Sequence, residues 1–142
     1  MNHPALALFV LLSTACGPTP ALDERAAPEG VFARTAGPAL ERHCAAPPCH
    51  GNEARPLRVY APGTLRADPS RVHRDEPLSA DEVRANERRA QAFLSEAPSA
   101  LDALVLAKPL GRVTHLGGVL CDGPTDTPCA ELLAWARAAG LP

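Results

Sequence analysis

The sequence predicts a small, mostly α domain threaded by long loops rich in Pro and Gly. Sixteen prolines and 10 glycines stand against 3 Phe, 1 Trp and 1 Tyr in 142 residues. Aromatic mass for a core is therefore scarce, and much of the backbone has to be turn or irregular. The apolar residues that recur do so at helical spacing rather than in strict alternation. One short run, LRVY at residues 57–60, reads as a strand, and there is no internal repeat.

The chain opens with an address rather than a fold. Residues 5–12 read ALALFVLL, followed by Ser13, Thr14, Ala15 and then Cys16. Eight apolar residues are too few for a bilayer-spanning helix, which needs about 20, but they suit the core of a secretory signal. The small residues before Cys16 resemble the box of bacterial lipoproteins, whose cysteine becomes the lipidated first residue of the mature chain. This makes residues 1–15 a lipoprotein-type signal peptide. The competing readings are an ordinary signal cut near Ala15 or Ala21, or a buried N-terminal helix. Residues 16–30, polar and Pro-rich, read as a flexible tether. The expected place is the cell envelope, lipid-anchored to the membrane and facing the periplasm, where disulfides persist.

Residues 31–142 form the domain. In VFARTAGPALERHC, Phe32, Ala36 or Gly37, and Leu40 share a helical face, with Pro38 either kinking the helix or starting it. Residues 52–79 contain four prolines and read as a long wrapped loop, which needs something to wrap around. Ser79 and Glu82 make a capping box for a helix running through Val83, Ala90, Phe93 and Leu94. Its charged face, with Arg84, Glu87, Arg88 and Arg89, reads as solvated surface. A shorter helix starts at Ser99 and ends at Pro109 and Gly111. The last begins near Thr127 and Pro128, carries Leu132, Leu133 and Trp135, and stops at Gly140.

Five cysteines divide by spacing into Cys16 alone, Cys44 with Cys49, and Cys121 with Cys129. The nine residues CDGPTDTPC are rich in turn formers and predict a disulfide from Cys121 to Cys129 that braces the last helix. The stretch CAAPPCHG, residues 44–51, is a different matter. Covalent haem attachment ordinarily uses C-x-x-C-H, in which two thiols meet two vinyl groups and the next imidazole ligates iron. Cys44, Cys49 and His50 supply those groups in that order. The spacer is two residues longer, but His50 keeps its place beside Cys49.

Here the chain resembles the class I c-type cytochromes, among which a four-residue spacer is a known variant. A helix entering HC....CHG, the run LVLAKPLGRVTHLGG at residues 104–118 and the final LLAWARAAG are similar to planctomycete-type cytochrome c domains. The resemblance covers residues 31–141. It implies a cytochrome c-like helical domain, haem c held by Cys44 and Cys49, iron ligated by His50, and single-electron transfer with redox protein partners. It also implies that Phe32 and Trp135 pack where the first and last helices cross.

Met1 is the single methionine and leaves with the signal, so the sixth ligand is His115, His73 or His43, or the site is open. His115 is favoured because it sits in a Gly-rich loop where such domains present a distal ligand. The alternative is a haem-free envelope lipoprotein with two disulfides, Cys44–Cys49 and Cys121–Cys129, acting as a binding or scaffold module. Zinc at Cys44 and Cys49 would want further ligands. The net charge of −2 excludes a basic footprint for nucleic acid. No nucleophile–base pair or carboxylate dyad stands out, so an electron carrier is expected rather than an enzyme acting through its side chains.

Overall fold

The computed structural model describes residues 30–142, so the expected signal peptide, Cys16 and all but the last residue of the expected tether lie outside the described residues. Five helices follow in order: α1 Val31–Arg34, α2 Ala36–His43, α3 Ala80–Gln91, α4 Leu104–Ala107 and α5 Cys129–Ala138, with a 3-10 turn at Pro69–Arg71. Among the described residues there is no strand. None of the described helices is long and apolar enough to cross a membrane.

The break in the first helix falls at Thr35, three residues before Pro38. Proline clashes with the carbonyl four residues back and cannot donate to it, which here is Arg34. The helix therefore ends at Arg34, where the Thr35 hydroxyl donates to Val31 O at 2.6 Å, and restarts with Pro38 in its first turn. Helices α1 and α2 then pack on α5. Phe32 meets Trp135 edge to face, with ring centroids 5.2 Å apart and planes at 70°. Leu40, Leu106, Leu132 and Ala136 fill the rest of this core and are almost fully buried.

The expected strand at residues 57–60 does not form, because nothing in the fold offers it a partner strand. Its backbone is satisfied by a side chain instead. Asn86 on α3 accepts from Tyr60 N at 2.8 Å and donates to Tyr60 O at 2.9 Å. Helix α3 begins at the expected cap, with both arms of the Ser79–Glu82 box made. Its buried face is Ala80, Glu82, Asn86 and Ala90, so two of the inward residues are polar. The helix ends at Gln91, and Phe93 and Leu94 pack from the turn beyond it. Arg89 departs from the solvated reading as well: its guanidinium lies over the Tyr60 ring and donates to the Tyr60 hydroxyl. The helix expected from Ser99 shrinks to α4. Ser99 and Asp102 bond each other locally in competition with helix formation.

What the long loop wraps around is an ion pair. The Arg66 and Glu82 side chains are both essentially fully buried. Glu82 accepts from Arg66 Nε and Nη2 at 2.9 Å each, from Ala67 N at 2.9 Å and from Ser79 N at 2.8 Å. Arg66 spends its remaining donors on the carbonyls of Glu76 and Pro77. Burial pushes the Glu82 pKa up, but the hydrogen bonds from Arg66, Ser79 and Ala67 outweigh it and hold the group at about 2. One carboxylate therefore caps α3 and ties the middle of the loop to its end.

Candidate functional site

Helix α2 ends by delivering Cys44, whose backbone N–H bonds Leu40 O at 2.9 Å. From there the chain folds into a hydrogen-bonded turn. Cys49 N and Gly51 N both donate to Ala46 O, at 2.8 and 3.0 Å, and His50 N donates back to Cys44 O at 3.0 Å. The two additional residues are absorbed inside this turn. Glycine is required at its close, because a Cβ on Gly51 would run into the Ala45 carbonyl oxygen.

His50 is fixed at three points. Its N–H is held in the turn, its carbonyl accepts from Val59 N at 2.7 Å, and its ring Nδ1 lies 2.6 Å from Leu57 O. A carbonyl only accepts, so Nδ1 carries the proton and Nε2 keeps its lone pair. Burial lowers the His50 pKa. The Leu57 bond opposes that, while His115, Lys108 and Arg55 add to it. The ring is therefore neutral at pH 7, the form that ligates a metal.

Facing it is His115, on a loop whose two ends are both pinned to α4 and the turn after it. Arg112 N and Val113 N bond Ala107 O, and Leu120 N and Cys121 N bond Pro109 O. Within the loop, Gly118 N donates to His115 O at 2.9 Å and His115 Nδ1 lies 3.2 Å from Gly118 O. Gly118 has φ +76°, and a Cβ on Gly117 would stand 2.9 Å from the His115 ring. Both glycines thus serve the imidazole's position. The His50 and His115 rings have centroids 5.9 Å apart and planes 20° from parallel.

The two rings flank a cleft of about 370 Å³, within the usual 300–1,000 Å³ of small-molecule sites. Cys49, Arg55, Phe93, Lys108 and Leu116 line it, and it runs inward to a small space of about 40 Å³ against Cys44, Leu40, Val105 and Leu132. No carboxylate lines either part. Leu116 at its mouth is 94 % exposed.

Cys44, Cys49, His50 and His115 are thus brought together, whereas His43 and His73 are exposed and line neither part of the cleft. Cys121 and Cys129 form the expected disulfide. Cys44 and Cys49 do not: both are unbridged, so the second disulfide of the alternative reading is not formed. Burial, helped by Cys49, pushes the Cys44 thiol up to about 11. It is a neutral thiol at pH 7 rather than a reactive thiolate. Among the described residues no three of His, Cys, Asp and Glu converge as a set that would hold a bare metal ion. Sequence reasoning missed Arg55 and Lys108 as cleft residues. Arg55 belongs to no recognisable motif, and Lys108, though inside the run at residues 104–118, was given no role there.

The chain matches no protein-family model, no curated protein and no solved structure. The chemistry of the cleft therefore rests on its own groups.

Proposed function

We propose that this protein is a membrane-tethered monohaem c-type cytochrome that passes single electrons between redox protein partners. The observation that carries this reading is the pair of neighbouring imidazoles, His50 and His115, beside two unbridged thiols. Two imidazoles on opposite sides of one metal, with bonds of about 2 Å, have ring centres about 6 Å apart. The 5.9 Å between the two ring centres, in a stacked arrangement with planes 20° from parallel, is of that order. Two nitrogens suit a metal whose other four positions come with a macrocycle, and among the described residues the thiols do not converge with them as a bare-metal site would need.

The residues fit haem c in chemistry as well. The Cys44 and Cys49 thiols would hold the group covalently, by adding S–H across two vinyl groups with no net electron transfer. His50 and His115 would ligate the iron, each offering Nε2 while Nδ1 is held by a backbone carbonyl. Such bonds orient an imidazole and make it a stronger donor. Bound haem supplies the one-electron iron couple, and two imidazoles set its potential below that of a His/Met site. Leu40, Leu57, Phe93 and Leu132 exclude water from the inner wall. Cys16, with its lipid, is the anchor.

Expression of the full chain with a cytochrome maturation system tests the reading. The expected product shows a Soret band and the covalent mass of one haem, both absent from Cys44→Ala/Cys49→Ala. His115→Ala should keep the haem but convert its low-spin spectrum to high-spin. A colourless wild-type protein with Cys44 and Cys49 linked to each other overturns the proposal and favours the haem-free module. Cys16→Ala should move the protein from the membrane fraction to the soluble one.

A further inference from the structure

The four-residue spacer raises a mechanical problem that its own backbone does not solve. Lengthening a loop between two fixed groups widens the range of conformations open to it. Pro47 and Pro48 have no N–H to donate into the turn. The bonds that close the turn run to Ala46 O and Cys44 O, and leave the carbonyls of Pro48 and Cys49 with no backbone donor. Those are the two peptide carbonyls immediately before His50.

Arg55 serves both. Its Nε donates to Cys49 O and its Nη2 to Pro48 O, at 3.1 Å each. The side chain is aimed there by a turn of its own. Arg55 N donates to Asn52 O at 3.2 Å, and Asn52 Oδ1 accepts from Ala54 N at 2.9 Å, which folds residues 52–55 back over the spacer. Among the described residues Arg55 makes no salt bridge, so no carboxylate competes for the guanidinium.

We propose that Arg55 is a positioning residue: its planar fork clamps the Pro48 and Cys49 carbonyls and so makes a C-x4-C-H spacer serve as a haem-attachment site. The clamp fixes the direction in which the Cys49 thiol and the His50 imidazole leave the backbone. It also holds the spacer in a form in which Cys44 and Cys49 stay apart. The inference rests on the haem reading above, and extends it to a residue outside the motif. Lysine keeps the charge but carries its donors on one freely rotating nitrogen rather than in a rigid planar fork, so it does not fix the two carbonyls relative to each other.

The test has a loaded arm and an unloaded arm, both on the full chain. Matured with haem, wild type should carry two thioether bonds. Arg55→Ala and Arg55→Lys should each give a large fraction attached through Cys44 alone, seen as a shifted pyridine haemochrome band and a free, alkylatable Cys49. Purified without haem and equilibrated in glutathione buffer, Arg55→Ala should shift the Cys44–Cys49 thiol–disulfide ratio toward the disulfide by about tenfold. Circular dichroism should be unchanged, since Arg55 is exposed. Wild-type attachment and an unchanged ratio in Arg55→Ala overturn the clamp, as does full wild-type behaviour in Arg55→Lys. A wild type that takes up no haem sinks the haem reading, and the glutathione ratio still decides the clamp.

Discussion

The two walls of the cleft are built by different means. The His50 wall is stitched throughout: the turn at residues 44–51 closes on itself, Arg55 and Val59 bond into it, and the loop behind it is locked by Arg66 and Glu82. The His115 wall is a loop tied at its two ends, with a bond from Gly118 N and the His115 ring contact inside it, and with Leu116 and Val119 exposed. One histidine is held by the core and the other by a strap. A cleft built this way keeps one imidazole fixed while the other can yield.

Breaking the Arg66–Glu82 pair should produce the largest effect. Removing one partner leaves the other buried and uncompensated, at a cost of about 3–5 kcal/mol. Arg66→Ala or Glu82→Gln should therefore lower Tm by about 10 °C or more, measured by circular dichroism. The pair also sets an acid limit. The folded Glu82 pKa, about 2, lies below its ordinary 4.5. Its contribution is complete above that ordinary value and is lost as pH falls from 4.5 toward 2. Wild type should show this acid loss, and Glu82→Gln should lack that component. If Glu82→Gln is as stable as wild type at pH 7, the ion pair does not hold the His50 wall.

The disulfide is the corresponding device on the other wall. Cys121 ends the strap and Cys129 begins α5, so the bond ties the His115 loop to the core. Cys121→Ser/Cys129→Ser should cost about 2–3 kcal/mol through the freedom returned to the unfolded chain. A reductant should lower the wild-type Tm by a similar amount and leave the double variant where it is. Hydrogen exchange should quicken at residues 113–120 more than at residues 44–59. Equal quickening at both places would mean that the two walls are one cooperative unit.

This division explains what the sequence disclosed. The Ser79 cap and the Cys121–Cys129 loop were legible because each is written in neighbouring residues, whereas the Phe32–Trp135 crossing was expected only from the resemblance to c-type cytochromes. The grouping of His50 with His115 was expected from the same resemblance, with the glycines beside His115 in support. The Arg66–Glu82 pair was not: Arg66 lies among loop residues, and Glu82 already had a sufficient local role as a cap. The strand at residues 57–60 was misread for the related reason that β-type residues report a half-buried surface and not the partner that completes it. Asn86, 26 residues away, is that partner. Arg55 escaped because two carbonyls in need of donors leave no mark in a sequence.

The smallest effect separates the walls most finely. Gly63 and Gly118 have nearly the same backbone, φ +70° and +76°, and a Cβ on either would meet nothing within 4 Å. Alanine at each incurs the same intrinsic cost, about 1–2 kcal/mol for a left-handed residue. Gly63 lies in the turn closed by Ala61 N to Leu65 O, just before Arg66, so its strain should be borne by the whole fold and lower Tm by several degrees. Gly118 lies in the strap, where the strain can be relieved by local opening. Gly118→Ala should leave Tm nearly unchanged while raising exchange at the Gly118 amide and, in the haem-loaded protein, the high-spin fraction. Equal Tm losses in the two variants would show that the strap is as firmly built as the wall it faces.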